Sequence, residues 1–249
     1  ELLEECIEER LHMDPTERSE IFDLMNLLLE SYEKGTITRE DVKGQLLTLL
    51  FAGQDTTGHT MSWMLYEISQ NATLQETLAE ELTKVLPDRD SAFVNTTIVD
   101  SGQLDLLDRV FQETLRMYPA VSTGTARIVG NASILVGDSH LELPAGTSVT
   151  IPPYSLHRNP KYYNHPDCFD PDRFIEKDAA SMGMAFQAFS GGPKNCVGGR
   201  FARIEALTIM SAILRRFRVI CVEEERPEEF LALTLRPKKG IRFVFERRA

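Results

Sequence analysis

The sequence predicts a mainly α-helical fold with small β-sheets, an α+β arrangement. Two observations support this prediction: long segments carry apolar residues at helical spacing, and short β-type segments are confined to residues 122–151 and to the C-terminal region. The composition, with 42% hydrophobic and 26% charged residues over 249 positions, is that of an ordinary globular protein. We expect a single domain over residues 1–249.

Charge and cysteine content exclude several classes of protein. A net charge of −11 argues against a nucleic-acid-binding protein. The four cysteines lack the spacing of a zinc site or a disulfide framework, which favours a reducing compartment. No apolar run approaches the length of a membrane span, and no signal peptide opens the chain.

The N-terminal part is predicted to be helical. A short acidic helix covers residues 1–11, and a second covers residues 18–34 and ends at Gly35. Thr38 then opens a long helix that runs to about Asn71, because its hydroxyl can accept from the N–H of Asp41 at capping-box spacing. Since the chain opens within helical sequence at a Glu, we expect it to be a fragment of a longer protein.

Inside the long helix, residues 51–58 read FAGQDTTG. Glycine, threonine and aspartate are poor helix formers, so their clustering needs an explanation. One interpretation is a tolerated weak point in the helix. The other is a distorted helix in which a hydroxyl is free to bond an inserted group.

Two further helices are predicted over residues 73–86 and 104–118, each followed by a proline, with a loop over 88–102 between them. The later helix places Glu113 and Arg116 on one face. Taken alone, this spacing is typical of an exposed surface pair.

The β-type regions are predicted as follows. Strands cover residues 125–129, 133–136, 141–143 and 147–151, with a turn at Gly137 and Asp138, and an irregular loop covers 162–178. After a helix ending near Phe217, a strand covers 218–222, and segments 231–236 and 241–245 form a closing hairpin.

The most informative stretch is residues 189–198, which read FSGGPKNCVG. The apolar periodicity that follows predicts a buried helix, so Cys196 lies just before a helix N-terminus, where backbone N–H groups and the helix dipole stabilise a thiolate. Glycines at 191, 192, 198 and 199 permit close approach of a flat, bulky group, and Lys194 can meet an anion that it carries. These features suit a haem with its propionates. The alternative is that Cys196 is a small buried apolar residue.

This stretch resembles the haem-ligand loop of the cytochrome P450 family, the haem-thiolate monooxygenases, whose pattern is F-x-x-G-x-R-x-C-x-G. Lys194 stands where the family has Arg. The resemblance implies the C-terminal portion of the P450 fold and a haem b (iron protoporphyrin IX) whose iron is ligated by Cys196. It further implies that Phe189, Gly192, Lys194 and Gly198 contact the haem.

Residues 52–57, AGQDTT, are similar to the distal-helix signature of the same family. That similarity implies that Ala52 and Gly53 border the haem. It also implies that Asp55 is a proton-relay carboxylate and that Thr56 is the hydrogen-bond partner of a peroxo intermediate.

The same resemblance assigns further residues. Glu113 and Arg116 would form a buried pair locked by Arg173, with a structural role. Arg127 would meet a haem propionate, its alternative being a solvated Arg at a sheet edge. The substrate pocket would include Phe51, Val121 and Leu233, and the HRNP turn at residues 157–160 is similar to a structural turn of the family.

The activity implied is insertion of one oxygen atom from O2 into an apolar substrate, with electrons from an NADPH-dependent reductase. The parent protein would lie on the cytosolic face of the endoplasmic reticulum, with membrane contact only through the missing N-terminal part. Lys194, Arg200 and Arg203 would form a basic docking surface, or the arginines would merely coat their helix.

Two other functions stay open. The first is a peroxide-rearranging isomerase of the same fold, against which the Asp55–Thr56 pair argues because such members generally lack it. The second is an inactive, truncated haem-binding fragment, because the N-terminal half of the fold would lie outside this chain.

Overall fold

The computed structural model describes residues 2–88, 96–130, 132–136, 138–175 and 182–248, with the backbone alone for 132–136. The chain divides into two compact units, Glu1–Asp55 and Thr56–Ala249. That the whole chain forms a single domain stays a prediction. Among the described residues, no helix combines the length and the apolar character needed to cross a bilayer.

The first unit is built from helices. They are α1 (Leu2–His12), α2 (Pro15–Ser19), α3 (Leu24–Glu33) and the first part of α4 (Arg39–Gln70), which continues into the second unit. Ile7, Leu29 and Val42 form the buried centre of this unit, one each from α1, α3 and α4.

Aspartates divide the N-terminal helices from one another. The Asp14 carboxylate accepts from the N–H of Thr16 at 2.8 Å and so begins α2, while the Asp23 carboxylate accepts from the N–H of Asn26 at 2.8 Å and begins α3. The predicted helix over residues 18–34 is therefore wrong in its first part. Its residue Phe22 lies between the two helices with an exposed side chain.

Helix α4 begins as predicted. The Thr38 hydroxyl accepts from the N–H of Asp41 at 3.1 Å, and the Asp41 carboxylate accepts from the N–H of Thr38 at 2.8 Å. The helix is continuous through residues 51–58, so the predicted distortion does not interrupt it. The Thr60 hydroxyl instead donates to the carbonyl of Thr56 at 2.9 Å.

The second unit contains most of the helices and the sheets. After α4, its helices are α5 (Ala72–Val85), α6 (Thr96–Asp100), α7 (Asp105–Met117), α8 (Pro153–Leu156) and α9 (Gly199–Leu214). Helices α4, α5, α7 and α9 share one apolar core, to which they contribute Ile68, Leu82, Val110 and Leu207 respectively. Helix α6 corrects the loop predicted over 88–102, of which residues 89–95 lie outside the described residues.

A neighbouring helix caps the N-terminus of α7. Leu104, at the cap position of α7, has no side chain that can accept a hydrogen bond. The carboxylate of Glu81 on α5 takes this role, accepting from the N–H groups of Leu106 at 2.7 Å and Leu107 at 3.1 Å. Helix α7 is therefore anchored to α5 at the end opposite to Arg116.

The strands form small antiparallel sheets. They are β1 (Arg127–Ile128), β2 (Ala132–Val136), β3 (Ser139–Leu143), β4 (Ser148–Val149), β5 (Phe217–Cys221), β6 (Glu229–Leu231), β7 (Leu235–Pro237) and β8 (Phe243–Arg247). Within the part of the chain that the structure describes, the pairs are β1–β4, β2–β3, β5–β8 and β6–β7. The predicted mainly α fold with small sheets is confirmed, while Gly137 of the predicted turn lies outside the described residues.

The predicted C-terminal hairpin is wrong in its pairing. Strand β7 pairs with β6 through a tight turn in which the N–H of Ala232 donates to the carbonyl of Thr234 at 3.2 Å. Strand β8 pairs with β5, placing Val219 opposite Phe245 and bringing Val219 into the core. Helix α9 also ends at Leu214 rather than near Phe217, which already belongs to β5.

Candidate active site

The loop before α9 presents Cys196 to solvent. The N–H of Cys196 donates to the carbonyl of Phe189 at 2.9 Å, and the N–H of Asn195 donates to the carbonyl of Gly192 at 3.1 Å. These two bonds close the loop upon itself, and α9 begins three residues later at Gly199. Cys196 therefore lies just before a helix N-terminus, as the sequence predicts.

The glycines of this loop are favoured at their positions for different physical reasons. Gly192 has a φ of +74°, in the left-handed region that favours glycine. A Cβ at Gly199 would lie 3.4 Å from the ring of Phe189, and one at Gly198 would lie 3.8 Å from the Cys196 sulfur. A larger side chain at Gly198 would thus crowd the sulfur, whereas glycine leaves it accessible.

Exposed apolar side chains follow Cys196 in the chain. Val197 is 91% exposed and Phe201 is 68% exposed, although α9 buries Leu207, Met210 and Leu214 on its other face. The helix predicted to be buried after this loop is therefore exposed at Phe201. The interpretation of Cys196 as a small buried apolar residue is also wrong, because Cys196 itself is exposed.

The donor set of this loop fits a haem. Among the described residues, no three His, Cys, Asp or Glu side chains are grouped to hold a bare metal ion. A haem iron receives four ligands from its porphyrin and needs only an axial ligand from the protein. One accessible cysteine beside glycines and exposed apolar groups meets that need.

Helix α4 carries the predicted distal residues. Phe51 and Ala52 are exposed, while Gly53 and Asp55 are half-buried, and all four belong to the first unit. Thr56, also half-buried, opens the second unit.

The second unit brings Glu113, Arg116 and Arg173 together. Arg116 donates to both carboxylate oxygens of Glu113 at 2.7 and 2.8 Å, and Arg173 Nε donates to the same carboxylate at 3.2 Å. Glu113 and Arg116 are 0% exposed, so the interpretation as an exposed surface pair is wrong. Arg116 also donates to the carbonyl of Pro166 at 2.7 Å, so its remaining protons find partners as a buried charge requires.

The remaining predicted residues of the second unit lie at its surface. Arg127 is exposed on β1, and its Nη1 donates to the carbonyl of the preceding residue, Ala126, at 3.2 Å. Lys194, Val121 and Leu233 are also exposed. The structure thus leaves all four side chains accessible to a bound group.

The basic surface around Cys196 is weaker than the sequence predicts. Arg200 forms an ion pair with Asp100 on α6. Arg203 pairs with Asp108 on α7 at 2.7 Å and lies 3.8 Å from Asp100. The two arginines therefore face two aspartates, and their charges are balanced locally.

Sequence reasoning missed one contact near the predicted pocket. Nδ1 of His59 on α4 lies 3.2 Å from the hydroxyl of Thr234, in the turn that also carries Leu233. The N–H of Leu235, at the end of the same turn, donates to the carbonyl of Ala120, next to Val121, at 2.9 Å. No local sequence pattern predicts this contact, because the two partners are 175 residues apart.

Comparison with known proteins supports the assignment of the chain to the cytochrome P450 family. The family model described as Cytochrome P450 matches residues 1–245. Cytochrome P450 4V2 of Homo sapiens is 35% identical over 236 residues, which cover 93% of this chain and 43% of that protein. Cytochrome P450 4c3 of Drosophila melanogaster is 32% identical over 222 residues, which cover 88% of this chain and 40% of that protein.

The chain therefore spans less than half the length of these relatives. The family match extends over nearly all of its residues, and the observed fold and the Cys196 loop agree with it. This chain belongs to the cytochrome P450 family, whose members are haem-thiolate monooxygenases.

Proposed function

We propose that the protein containing this chain inserts one oxygen atom from O2 into an apolar organic substrate, with electrons supplied by an NADPH-dependent reductase. The observation that carries the proposal is the accessible Cys196 sulfur in a glycine-containing loop before α9. Haem b, when bound there, supplies the oxygen-activating chemistry, and a thiolate ligand favours O–O cleavage. The residues of this chain hold the cofactor, orient the substrate and move protons.

Cofactor binding is assigned to the loop and its neighbours. Cys196 supplies the sulfur ligand, Gly192 adopts the positive φ that the loop requires, and Gly198 places no side chain beside the sulfur. Phe189 fixes the loop, since its carbonyl accepts from the Cys196 N–H and its ring packs against the backbone of Gly199. Lys194 and Arg127 are exposed cations that suit the two propionates.

Proton handling is assigned to α4. The Thr56 hydroxyl would donate a hydrogen bond to the oxygen atom that is transferred, and the Asp55 carboxylate would relay protons to that hydroxyl. Ala52 and Gly53, one turn earlier, have no side chain large enough to block close approach to this part of the helix. The Asp55–Thr56 pair is also the feature that argues against a peroxide-rearranging isomerase.

An apolar substrate is proposed because the residues assigned to the pocket, Phe51, Val121 and Leu233, are apolar and exposed. Within the second unit, the turn carrying Leu233 is bonded both to His59 on α4 and to Ala120 beside Val121. These two hydrogen bonds fix the turn, so Leu233 presents a defined apolar contact rather than a mobile one.

Electron supply and location complete the proposal. Lys194 is an exposed cation close to Cys196 in the chain, whereas Arg200 and Arg203 are paired with aspartates, so a docking reductase would meet a modest basic surface. We further propose that the whole protein lies on the cytosolic face of the endoplasmic reticulum.

The experiment that tests the proposal is haem reconstitution of the 249-residue chain, followed by reduction and addition of carbon monoxide. We expect a strongly red-shifted Soret band that Cys196→Ser abolishes, because a thiolate ligand shifts this band and a hydroxyl does not. Cys168→Ser is the matched control, since Cys168 is also an exposed cysteine, and it should leave the band in place.

A red-shifted band that persists in Cys196→Ser would refute the assignment of the ligand. Absence of the band in the unaltered chain would favour the inactive-fragment alternative. The full-length protein would then decide the activity: with a simple apolar olefin such as styrene, Thr56→Ala should slow oxygen insertion by roughly 10²-fold and Thr56→Ser should not. Equal rates for both variants would remove Thr56 from the mechanism.

A further inference from the structure

We propose that His157 is the positioning residue for the Cys196 loop, and that it holds the segment entering this loop through one hydrogen bond at each ring nitrogen. The importance of this position for catalysis rests on the proposed role of Cys196. The contacts themselves are independent of that role. His157 follows α8 directly and is 0% exposed.

The contacts of the ring assign its tautomer. The backbone N–H of Gln187 donates to Nε2 at 2.8 Å, so Nε2 must be the unprotonated nitrogen. The proton of the neutral ring is therefore on Nδ1, which lies 3.1 Å from the carbonyl of Arg116 at the end of α7 and donates to it. One imidazole thus joins α7 to the segment that precedes Phe189.

Arg116 and His157 hold each other in a reciprocal arrangement. The Arg116 guanidinium donates from Nη1 to the backbone carbonyl of His157 at 3.0 Å, while the His157 ring bonds the backbone carbonyl of Arg116. Since Arg116 is itself held by Glu113, the position of the imidazole is set by the buried ion pair.

Aromatic packing holds the same segment. The His157 ring stacks on Phe186 with centroids 5.1 Å apart and planes 7° apart, and Tyr163 meets it edge-on at 6.3 Å. The Tyr163 hydroxyl donates to the carbonyl of Ala185 at 2.8 Å. Residues 185–187 are therefore fixed at three consecutive positions.

From Gln187 the constraint continues to Cys196. The N–H of Ser190 donates to the carbonyl of Gln187 at 3.1 Å, and the N–H of Cys196 donates to the carbonyl of Phe189 at 2.9 Å. The Gln187 side chain also lies close to Gly191, since a Cβ added at Gly191 would be only 2.9 Å from the side-chain oxygen of Gln187. Displacement of Gln187 would therefore displace the backbone that carries the sulfur.

The surroundings keep the imidazole neutral. Burial lowers the pKa of His157 to about 4, and the nearby Arg116 and Arg158 cations act in the same direction. Arg116 approaches the ring from α7, Arg158 is its chain neighbour, and Tyr163 is the titratable residue of the following loop that contacts the ring. A protonated ring would turn Nε2 into a donor facing the Gln187 N–H, and the bond would be lost.

The test compares His157→Gln, His157→Asn and His157→Phe in the 249-residue chain. A Gln carbonyl reaches about as far as Nε2 and keeps an acceptor for Gln187, an Asn amide keeps only the donor toward Arg116, and Phe keeps only the packing. The rate of amide hydrogen exchange over residues 186–196 reports opening of the loop, and the rate in β5 and β8 reports opening of the rest of the core. Alkylation of Cys196, relative to the exposed Cys168, reports the sulfur.

We expect exchange over 186–196 and the relative alkylation rate to rise about tenfold in His157→Phe and His157→Asn, as for loss of one buried hydrogen bond. His157→Gln should stay within about threefold of the unaltered chain, and in His157→Phe and His157→Asn exchange in β5–β8 should rise clearly less than exchange over 186–196. Unchanged exchange in the Phe variant would overturn the proposal. An equal rise in β5–β8 would also overturn it, because His157 would then serve only the general core.

The unaltered chain provides a comparison that does not depend on any variant folding. Between pH 6 and pH 4, after correction for intrinsic exchange, residues 186–196 should lose protection before β5–β8 does. Simultaneous loss in both regions would refute the proposal. Because none of these measurements needs haem, a loop effect without a red-shifted carbon monoxide band would leave His157 as the positioning residue while rejecting the proposed function for this chain.

Discussion

The Glu113 carboxylate accepts hydrogen bonds from several parts of the second unit. It accepts from Arg116, from Arg173 and from the backbone N–H of Asp170 at 2.8 Å. Two charges taken fully out of water lose their hydration, and only such a complete set of partners compensates for that loss. The role of this cluster is therefore structural, as we propose from the family pattern.

Glu113→Gln tests the energetic weight of the cluster. The substitution leaves the Arg116 cation buried without its counter-charge, and we expect the free energy of unfolding to fall by about 3–5 kcal/mol. Urea denaturation followed by circular dichroism measures this change. Glu228→Gln is the control, because the Glu228–Lys238 pair is exposed and should contribute less than about 1 kcal/mol. Equal losses of unfolding free energy in the two variants would show that the buried pair contributes no more to stability than the exposed pair.

His157 predicts a pH dependence of stability. Its folded-state pKa of about 4 lies below the ordinary value of about 6.5, so the unfolded chain takes up the proton first on acidification. The contribution of the neutral His157 ring to the free energy of unfolding is complete above pH 6.5. It is lost as the pH falls toward 4, which lowers the free energy of unfolding by about 3 kcal/mol. We expect the free energy of unfolding of the unaltered chain to fall by about this amount relative to that of His157→Phe between pH 7 and pH 4, measured by urea denaturation. A difference between the two chains that is independent of pH would contradict the buried neutral imidazole.

Sequence and structure agree best at residues whose partners are near in the chain. The bonds between Thr38 and Asp41 follow from a three-residue spacing, and the loop around Cys196 follows from its glycines. The two bonds made by the His157 ring join positions 30 and 41 residues away. Nothing in the local pattern distinguishes such a histidine from any other helix-terminal one.

At the scale of elements, α7 depends on a carboxylate from another helix. Burial raises the pKa of Glu81, whereas its two bonds to backbone N–H groups at the N-terminus of α7 act in the opposite direction. Glu81→Gln keeps the size of the side chain but replaces one accepting oxygen by an NH2 group that faces a backbone donor. It also removes the negative charge from the helix N-terminus.

We expect Glu81→Gln to lower the free energy of unfolding by about 1–2 kcal/mol and to speed amide exchange in the first turn of α7. Glu80→Gln on the same helix is the matched control, because Glu80 is exposed, and it should stay within about 0.5 kcal/mol of the unaltered chain. Hydrogen exchange over residues 104–108 together with urea denaturation measures both effects. Identical results for Glu80 and Glu81 would exclude a capping role.

Strand pairing is the part of the fold that could not be predicted. The segments near 235 and 243 both read as strands, and a glycine-containing turn between them favours a hairpin by local rules. The pairing observed instead joins Phe217 with Arg247, so that Val219 reaches the core. Burial of an apolar face decides the partner, and that face is defined only once α5 and α9 are in place.

At the scale of the whole molecule, exposed apolar side chains of the second unit favour association between copies of the chain. Val197, Phe201, Ile128, Met184 and Leu233 in the second unit are large, exposed apolar side chains. Such groups promote association when nothing covers them. The net charge of −11 opposes association through repulsion between copies.

We expect the 249-residue chain to self-associate in a concentration-dependent way that salt strengthens by screening this repulsion. The double substitution Val197→Ser and Phe201→Gln should weaken association by about tenfold or more, because it removes two apolar side chains. Sedimentation velocity at several concentrations measures the effect, and Leu141→Gln on β3 serves as the control for a change elsewhere on the surface. A monomeric chain at every concentration would contradict this expectation.

The segment between β5 and β8 has a consequence for how the sequence of this protein can change in evolution. The two ends of the segment are bonded to each other: the N–H of Val222 donates to the carbonyl of Arg242 at 3.1 Å, and the Glu223 carboxylate accepts from the N–H of Arg242 at 3.1 Å. Between these ends, β6 and β7 form a hairpin whose turn carries Leu233. Insertions, deletions or new side chains in that turn leave the register of β5 and β8 intact, so the proposed substrate contact at Leu233 can change without loss of this strand pairing.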